Sequence, residues 1–151
     1  MVRYSFAGKV VLVTGSSRGM GAAVLDAFAR AGATCIVNYF DDPVGENRRD
    51  AEQTAEALRK HQVPVYVLPG DVRRYESVQA LMKAVLEKAG GLDILVNNAG
   101  IIRDRTVKKM TPEEWHDVQE TNLDGVFYCS KLGADIMRDG GRIVNISSIS
   151  G

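Results

Sequence analysis

The stretch KVVLVTGSSRGMG, residues 9–21, decides how this chain folds. Its first half is a continuous apolar run rich in valine, the pattern of a strand buried on both faces. Its second half, Thr14-Gly15-Ser16-Ser17-Arg18-Gly19-Met20-Gly21, is a glycine-rich turn that opens a helix. The helix is read from Leu25, Phe28, Ala29 and Gly32, which recur at helical spacing with Asp26 and Arg30 turned away. Glycines at such a junction let the backbone turn sharply and approach a pyrophosphate closely. The helix N-terminus behind them offers amide donors and positive potential. A glycine-rich turn alone is a weak signal, and its place between strand and helix strengthens it.

Outward from this unit the chain alternates. TCIVNYF (34–40) reads as a second buried strand, followed by a polar loop with Pro43 and Gly45 and a helix through Ala51, Ala55 and Leu58. VPVYVLPGD (63–71) is a third strand. Val78, Leu81, Met82, Val85 and Leu86 then mark an amphipathic helix closed by Gly90-Gly91. LDILVNNAG (92–100) is the fourth strand. Thr111-Pro112-Glu113-Glu114 supplies a capping threonine, a proline at the first helical position and a capping-box glutamate. The helix it starts is predicted to run unbroken through Trp115, Val118, Leu123, Val126, Phe127 and Ile136 to about Met137. Gly140-Gly141 turns into RIVNIS, the fifth strand.

Strands separated by helices imply right-handed crossovers and a parallel sheet. The expectation is one α/β domain over residues 1–151, a doubly wound Rossmann-type sheet in the order 3-2-1-4-5. Its ligand crevice lies between strands 1 and 4, where the order reverses.

Composition narrows the function classes. Nineteen basic and nineteen acidic residues cancel, which argues against nucleic-acid or membrane-surface partners. Cys35 and Cys129 lie inside apolar segments and read as buried free thiols of a reducing cytosol. His61 and His116 stand apart, so a metal has no ligand set. Met1 to Phe6 is short and polar, unlike a leader, and no apolar run reaches the ~20 residues that span a bilayer. The expected location is the cytoplasm.

Three further stretches follow strand ends on the same edge. Asn97-Asn98-Ala99-Gly100 suits close backbone packing against a ligand, with an ordinary polar turn as the alternative. Asp71-Val72 offers a carboxylate to an adenine amino group, or simply starts a helix. Ser147 and Ser148 follow the fifth strand, where a serine can be reactive or merely end the strand.

In combination these motifs resemble the classical branch of the short-chain dehydrogenase/reductase superfamily. The family's TGxxxGxG matches residues 14–21, its NNAG matches 97–100, and its adenine-side aspartate matches Asp71. Its helix asparagine matches Asn122 in QETNLDGVF, and its catalytic serine matches Ser148. GIIRDRTVKKM (100–110) and EWHDVQETNLDGVFYCSK (114–131) look most like 3-oxoacyl-carrier-protein reductases of fatty acid biosynthesis and acetoacetyl-CoA reductases.

The resemblance implies a carbonyl substrate carried on an acyl carrier protein or coenzyme A, NAD(P)H as hydride donor, and a homo-oligomer, typically a tetramer. It implies that Ser148 holds the carbonyl oxygen and that Asn122 holds a water linked to a lysine. It places the cofactor on Gly15, Ser17, Arg18, Gly19, Met20, Gly21, Tyr39, Asp71, Val72, Asn98, Ala99 and Gly100. Arg18 stands where NADP-preferring members carry a basic residue, and Tyr39 occupies the place of the carboxylate that holds an NAD ribose. NADP is therefore expected, with NAD the alternative because Asp41 and Asp42 lie close to the end of strand 2.

The family's proton-donating tyrosine and lysine, spaced YxxxK, come after the serine. None of Tyr4, Tyr39, Tyr66, Tyr75 and Tyr128 has a lysine four residues on. The expectation is an amino-terminal part of a longer reductase, with RIVNIS as an open apolar edge. The alternative is a dinucleotide-binding fragment without catalytic activity of its own. A flavodoxin-type phosphate-binding domain is a third class, disfavoured by Asn122 and Ser148. Arg103, Lys108 and Lys109 offer positive charge to an acidic carrier or form a solvated face. Trp115 is expected in the core and His116 at the surface.

Overall fold

The computed structural model describes residues 4–148. The reading of Met1 to Phe6 as a short polar start therefore lies partly outside the described residues.

Five parallel strands form one sheet in the order β3-β2-β1-β4-β5, as the alternation predicts. They are β1 (Val10–Val13), β2 (Thr34–Tyr39), β3 (Val65–Pro69), β4 (Leu92–Asn97) and β5 (Met137–Asn145). The crossovers carry α1 (Gly19–Arg30), α2 (Glu46–Arg59) and α3 (Tyr75–Ala89). Between β4 and β5 lie α4 (Pro112–Gln119), a π-helical turn over Glu120–Asp124, and α5 (Gly125–Asp135).

Side-chain alternation along β1 builds the two halves of the core. Val11 and Val13 pack with Leu25 and Ala29 of α1 and with Ala51, Ala55 and Leu58 of α2. Val10 and Leu12 point the other way, to Val78, Leu81, Met82 and Val85 of α3 and to Cys129 and Leu132 of α5. Each fully buried aliphatic side chain contributes about 1.5–3 kcal/mol relative to exposure. This burial holds β1 and β4 side by side, in the register Val11 to Ile94 and Val13 to Val96, so their carboxyl ends open together.

The last third departs from expectation. The predicted single helix from Thr111 is interrupted. The capping box forms as read, with Thr111 accepting from the Glu114 N–H and Glu114 from the Thr111 N–H. After Gln119, however, the chain widens into the π turn, where Thr121 Oγ1 donates to the Asp117 carbonyl at 2.9 Å. Such back-bonding bends helices. Trp115, expected in the core, is more than half exposed, as are Leu123 and Phe127 of the predicted helix.

β5 starts at Met137, earlier than its glycine pair suggested, and its register against β4 shifts between Leu92 and Ile94. Among the described residues β5 is one edge of the sheet and β3 the other, and Ile143 and Val144 of β5 are exposed.

Candidate functional site

Four loops at the carboxyl edge of the sheet surround a cleft of about 400 Å³. Ligand clefts of small-molecule sites fall in this range. Thr14 joins the loops after β1 and β4. Its Oγ1 accepts from the N–H groups of Asn98 and Ala99, both at 3.0 Å. Asn98 answers by donating from Nδ2 to the carbonyls of Thr14 (3.0 Å) and Gly15 (3.2 Å).

Asn38, buried in β2, holds the other side. It accepts from the Gly15 N–H at 3.0 Å and donates to the Leu68 and Gly70 carbonyls, both at 3.3 Å. Ser16 Oγ donates to the Val13 carbonyl and accepts from the Asn38 N–H. Thr54 of α2 donates to the Ser17 carbonyl at 2.7 Å. Sequence reasoning missed the roles of Thr14, Ser16 and Asn38. The available signal, for Asn38 alone, was polarity within a strand otherwise buried, because a buried polar side chain needs a partner.

Two glycines of the turn are required by proximity. A Cβ on Gly21 would stand 2.7 Å from Asn98 Nδ2 and 2.8 Å from the Gly15 carbonyl. A Cβ on Gly15, whose φ is +61°, would touch the Ala99 Cα at 3.0 Å. Behind the turn, α1 begins at Gly19 with no acidic residue in its first turn. Among the described residues no side chain caps it. Gly19, Met20 and Gly21 do not line the cleft, but they carry the N–H donors of a helix N-terminus directly after the lining residues Ser17 and Arg18, a chemistry that fits a phosphate group. The Met20 side chain itself points to solvent.

The expected cofactor residues divide. Gly15, Ser17, Arg18, Asp71, Val72, Asn98, Ala99 and Gly100 line the cleft. Tyr39 does not. It lies in the core on the α1–α2 side, and Phe40 lines the cleft in its place. The strand period explains this: Val37 and Tyr39 share the buried face, and the chain leaves the sheet at Phe40. Burial, with the charge of Asp41, pushes the Tyr39 hydroxyl above its ordinary pKa.

Arg18 is at the cleft, with its Nη1 2.7 Å from Asp50 Oδ2 of α2. Asp71 is held by Arg73, which donates from N, Nε and Nη2 at 3.0, 2.9 and 2.8 Å. Burial pushes the Asp71 carboxyl up. The Arg73 hydrogen bonds and charge outweigh that and hold it below the usual carboxylate range. The Arg73 guanidinium in turn lies over the Phe40 ring, 5.1 Å from its centroid.

Asn122 sits in the π turn. It donates to the Ile101 carbonyl (3.0 Å) and accepts from the Ile101 N–H (2.9 Å), fixing the loop after β4. The widened turn is what brings this amide across to the loop backbone. Ser148 follows β5 and emerges on the same edge as the cleft loops. The neighbouring amide of Asn97 donates from Nδ2 to Ser130 Oγ (3.1 Å) and Asn145 Oδ1 (2.8 Å). Its own Oδ1 is buried without a hydrogen-bond partner among the described residues, a cost of about 1–3 kcal/mol.

Other candidates have settled roles. Burial pushes the thiols of Cys35 and Cys129 up to about 12, which leaves them unreactive. Arg103 pairs with Asp117 at 3.8 Å and Arg105 with Glu114 at 3.3 Å. His116 is exposed, and His61 pairs with Asp26. Among the described residues no group of three or more His, Cys, Asp or Glu could hold a metal ion. No described helix is long and apolar enough to cross a membrane.

A protein-family model described as short chain dehydrogenase matches residues 9–151. The chain belongs to the short-chain dehydrogenase family. It is 38% identical over 145 residues to a 3-oxoacyl-(acyl-carrier-protein) reductase of Staphylococcus aureus, covering 95% of this chain and 57% of that protein. It is 43% identical over 147 residues to an acetoacetyl-CoA reductase of Paracoccus denitrificans, covering 95% of this chain and 56% of the relative. The chain thus spans little more than half the length of these relatives.

Among solved structures, a short chain dehydrogenase from Burkholderia cenocepacia in complex with NADP superposes with a TM-score of 0.88 at 31% identity, over 98% of this chain and 58% of that one. A short-chain type dehydrogenase/reductase from Mycobacterium marinum gives 0.89 at 30% identity, over 99% of this chain and 59% of that one. This short-chain dehydrogenase domain therefore has the Rossmann-like parallel sheet of its family.

Proposed function

We propose that the protein carrying this chain reduces a carbonyl to an alcohol with NADP(H), its substrate a 3-oxoacyl thioester on acyl carrier protein or coenzyme A. The observation that carries the proposal is the convergence of the uncapped α1 N-terminus, Asp71-Val72, Asn98 to Gly100 and the Ser148 loop on one sheet edge. The names of the two curated relatives support the substrate class.

In this reading the first turn of α1 holds the pyrophosphate through its N–H donors. Asp71 and Val72 bound the adenine, and Asn98, Ala99 and Gly100 line the nicotinamide side. A bound nicotinamide dinucleotide supplies the hydride. Ser148 donates a hydrogen bond to the carbonyl oxygen, where negative charge develops. Asn122, with both amide groups spent on Ile101, orders the loop over the site and leaves its helix backbone to hold a water. The proton comes from the tyrosine that the family's YxxxK implies.

NADP is favoured over NAD because no carboxylate closes β2 toward the cleft, while Arg18 faces it. The Arg18–Asp50 pair is exposed, so a 2′-phosphate competes for the guanidinium against a weak partner. The exposed apolar side chains of Trp115, Leu123 and Phe127 suit self-association, and the reading is of a cytoplasmic homo-oligomer.

The test is NADPH oxidation with acetoacetyl-CoA by the natural protein and two variants. Ser148→Ala should lower turnover about 10²–10³-fold while leaving NADPH affinity unchanged. Arg18→Ala should weaken NADPH by about 1–3 kcal/mol and NADH far less. A fully active Ser148→Ala enzyme would overturn the serine assignment. Equal losses for both dinucleotides would overturn NADP.

A further inference from the structure

We infer that Asn97 and Asn145 form a positioning clamp that sets where Ser148 leaves the sheet, at the edge that carries the cleft loops. The inference rests on the reading of Ser148 as the group that meets the substrate carbonyl. Asn97 and Asn145 are direct partners in the β4–β5 ladder. Two separate bonds join Asn97 to the end of that strand, one to Asn145 and one to Ile146. The Asn97 side chain donates to Asn145 Oδ1 at 2.8 Å, and the Asn97 carbonyl accepts from the Ile146 N–H at 3.0 Å. Ser148 stands three residues beyond Asn145, where the ladder has ended.

The chemistry of Asn97 points to dedicated work. Both hydrogens of its amide nitrogen are committed, one to Ser130 of α5 and one to Asn145, while its buried oxygen finds no partner. An apolar residue would avoid that unmatched acceptor, so packing alone does not account for an amide here. What the amide provides is a directional hold on the exposed strand at the point where it leaves the sheet.

Successive strand residues face opposite ways, so Asn97 and Asn98 divide the task. Asn98 ties the β4 end to the glycine turn through Thr14 and Gly15, and Asn97 ties the same end to the serine strand. One dipeptide therefore fixes the distance between the dinucleotide loop and Ser148. A displacement of about 1 Å at a reacting group can cost about 10²-fold in rate.

The experiment compares Asn145→Ala, Asn145→Asp and Ser148→Ala in the natural protein, each read for kcat, KM, NADPH Kd and Tm. Among the described residues Asn145 belongs to neither core cluster, so its replacement does not trim them. Asn145→Ala should lower kcat about 10–10²-fold, with Kd unchanged and Tm lowered only by the loss of one hydrogen bond at the sheet edge. Asn145→Asp keeps an acceptor for Asn97 and should restore most of that loss. If Ser148→Ala is crippled but Asn145→Ala turns over normally, the clamp is overturned and the serine assignment stands. If Asn145→Ala lowers Tm and NADPH affinity along with kcat, the role is general folding and the clamp is again overturned. If Ser148→Ala is fully active, the underlying functional reading fails first.

Discussion

β1 and β5 read alike as short aliphatic runs, yet the fold holds them by different means. β1 lies in the middle of the sheet, with helices over both faces and every residue buried. β5 lies at the described edge, with most of its residues exposed. What fastens β5 is polar and comes from the two ends of β4. At one end Asp93 Oδ2 accepts from the Val10 N–H at 2.8 Å and from Arg138 Nη1 at 2.7 Å, with Lys9 at 3.5 Å from its other oxygen. At the other end stands Asn97. An apolar run therefore announces a strand, and the polar residues of its neighbour decide where an exposed strand is pinned.

The comparison is most directly broken by trimming each strand. Leu12→Ala removes a fully buried side chain between α3 and α5 and should cost about 2–5 kcal/mol in denaturant unfolding. Ile143→Ala on β5 should cost about 1 kcal/mol or less. Equal costs would mean that β5 is covered in the natural protein as thoroughly as β1.

Next in size is Asp93→Asn. Burial pushes the Asp93 carboxyl up. The Val10 N–H, the Arg138 guanidinium and the Lys9 ammonium outweigh it and hold the group below the usual carboxylate range. A depressed carboxylate adds stability that is present above its unfolded pKa of about 3.9 and disappears as pH falls through the folded value. The substitution should remove about 1–3 kcal/mol at neutral pH and flatten the acid limb of the stability profile. An unchanged acid limb would show that the network adds nothing.

Smallest is Arg138→Gln, which unties β5 from Asp93 at a half-exposed pair. Global stability should fall by up to about 1 kcal/mol. Amide hydrogen exchange should quicken over Met137–Asn145 while Val10–Val13 stays protected. Equal quickening in both strands would erase the distinction.

Strand order and the edge that carries the site were legible because buried valine runs and glycine turns are local signals. The same holds for the Thr111 capping box. Contacts between distant residues were not. Arg18 meets Asp50 across two elements, and nothing in the glycine turn foretells that partner. Tyr39 and Phe40 are adjacent aromatics, and only the point where β2 leaves the sheet decides which one reaches the cleft. Helical spacing of Trp115, Leu123 and Phe127 gives an apolar face without saying what faces it. The π turn was invisible because the partner it serves, the Ile101 backbone, is distant in sequence from Asn122.

That turn has a consequence for inheritance. In an α-helix each residue advances the direction of the next by about 100°, so one residue accommodated in a wider turn re-phases everything downstream. Gly125, whose added Cβ would stand 2.8 Å from Val72 Cγ2, and Cys129 and Leu132 in the core keep their inward aim only while that residue is retained. A single-codon deletion between Glu120 and Asp124 could leave Asn122 in the sequence while forcing a choice. Either the asparagine loses Ile101, or α5 presents the wrong side to the sheet. At this point the chain is more tolerant of a changed letter than of a missing one.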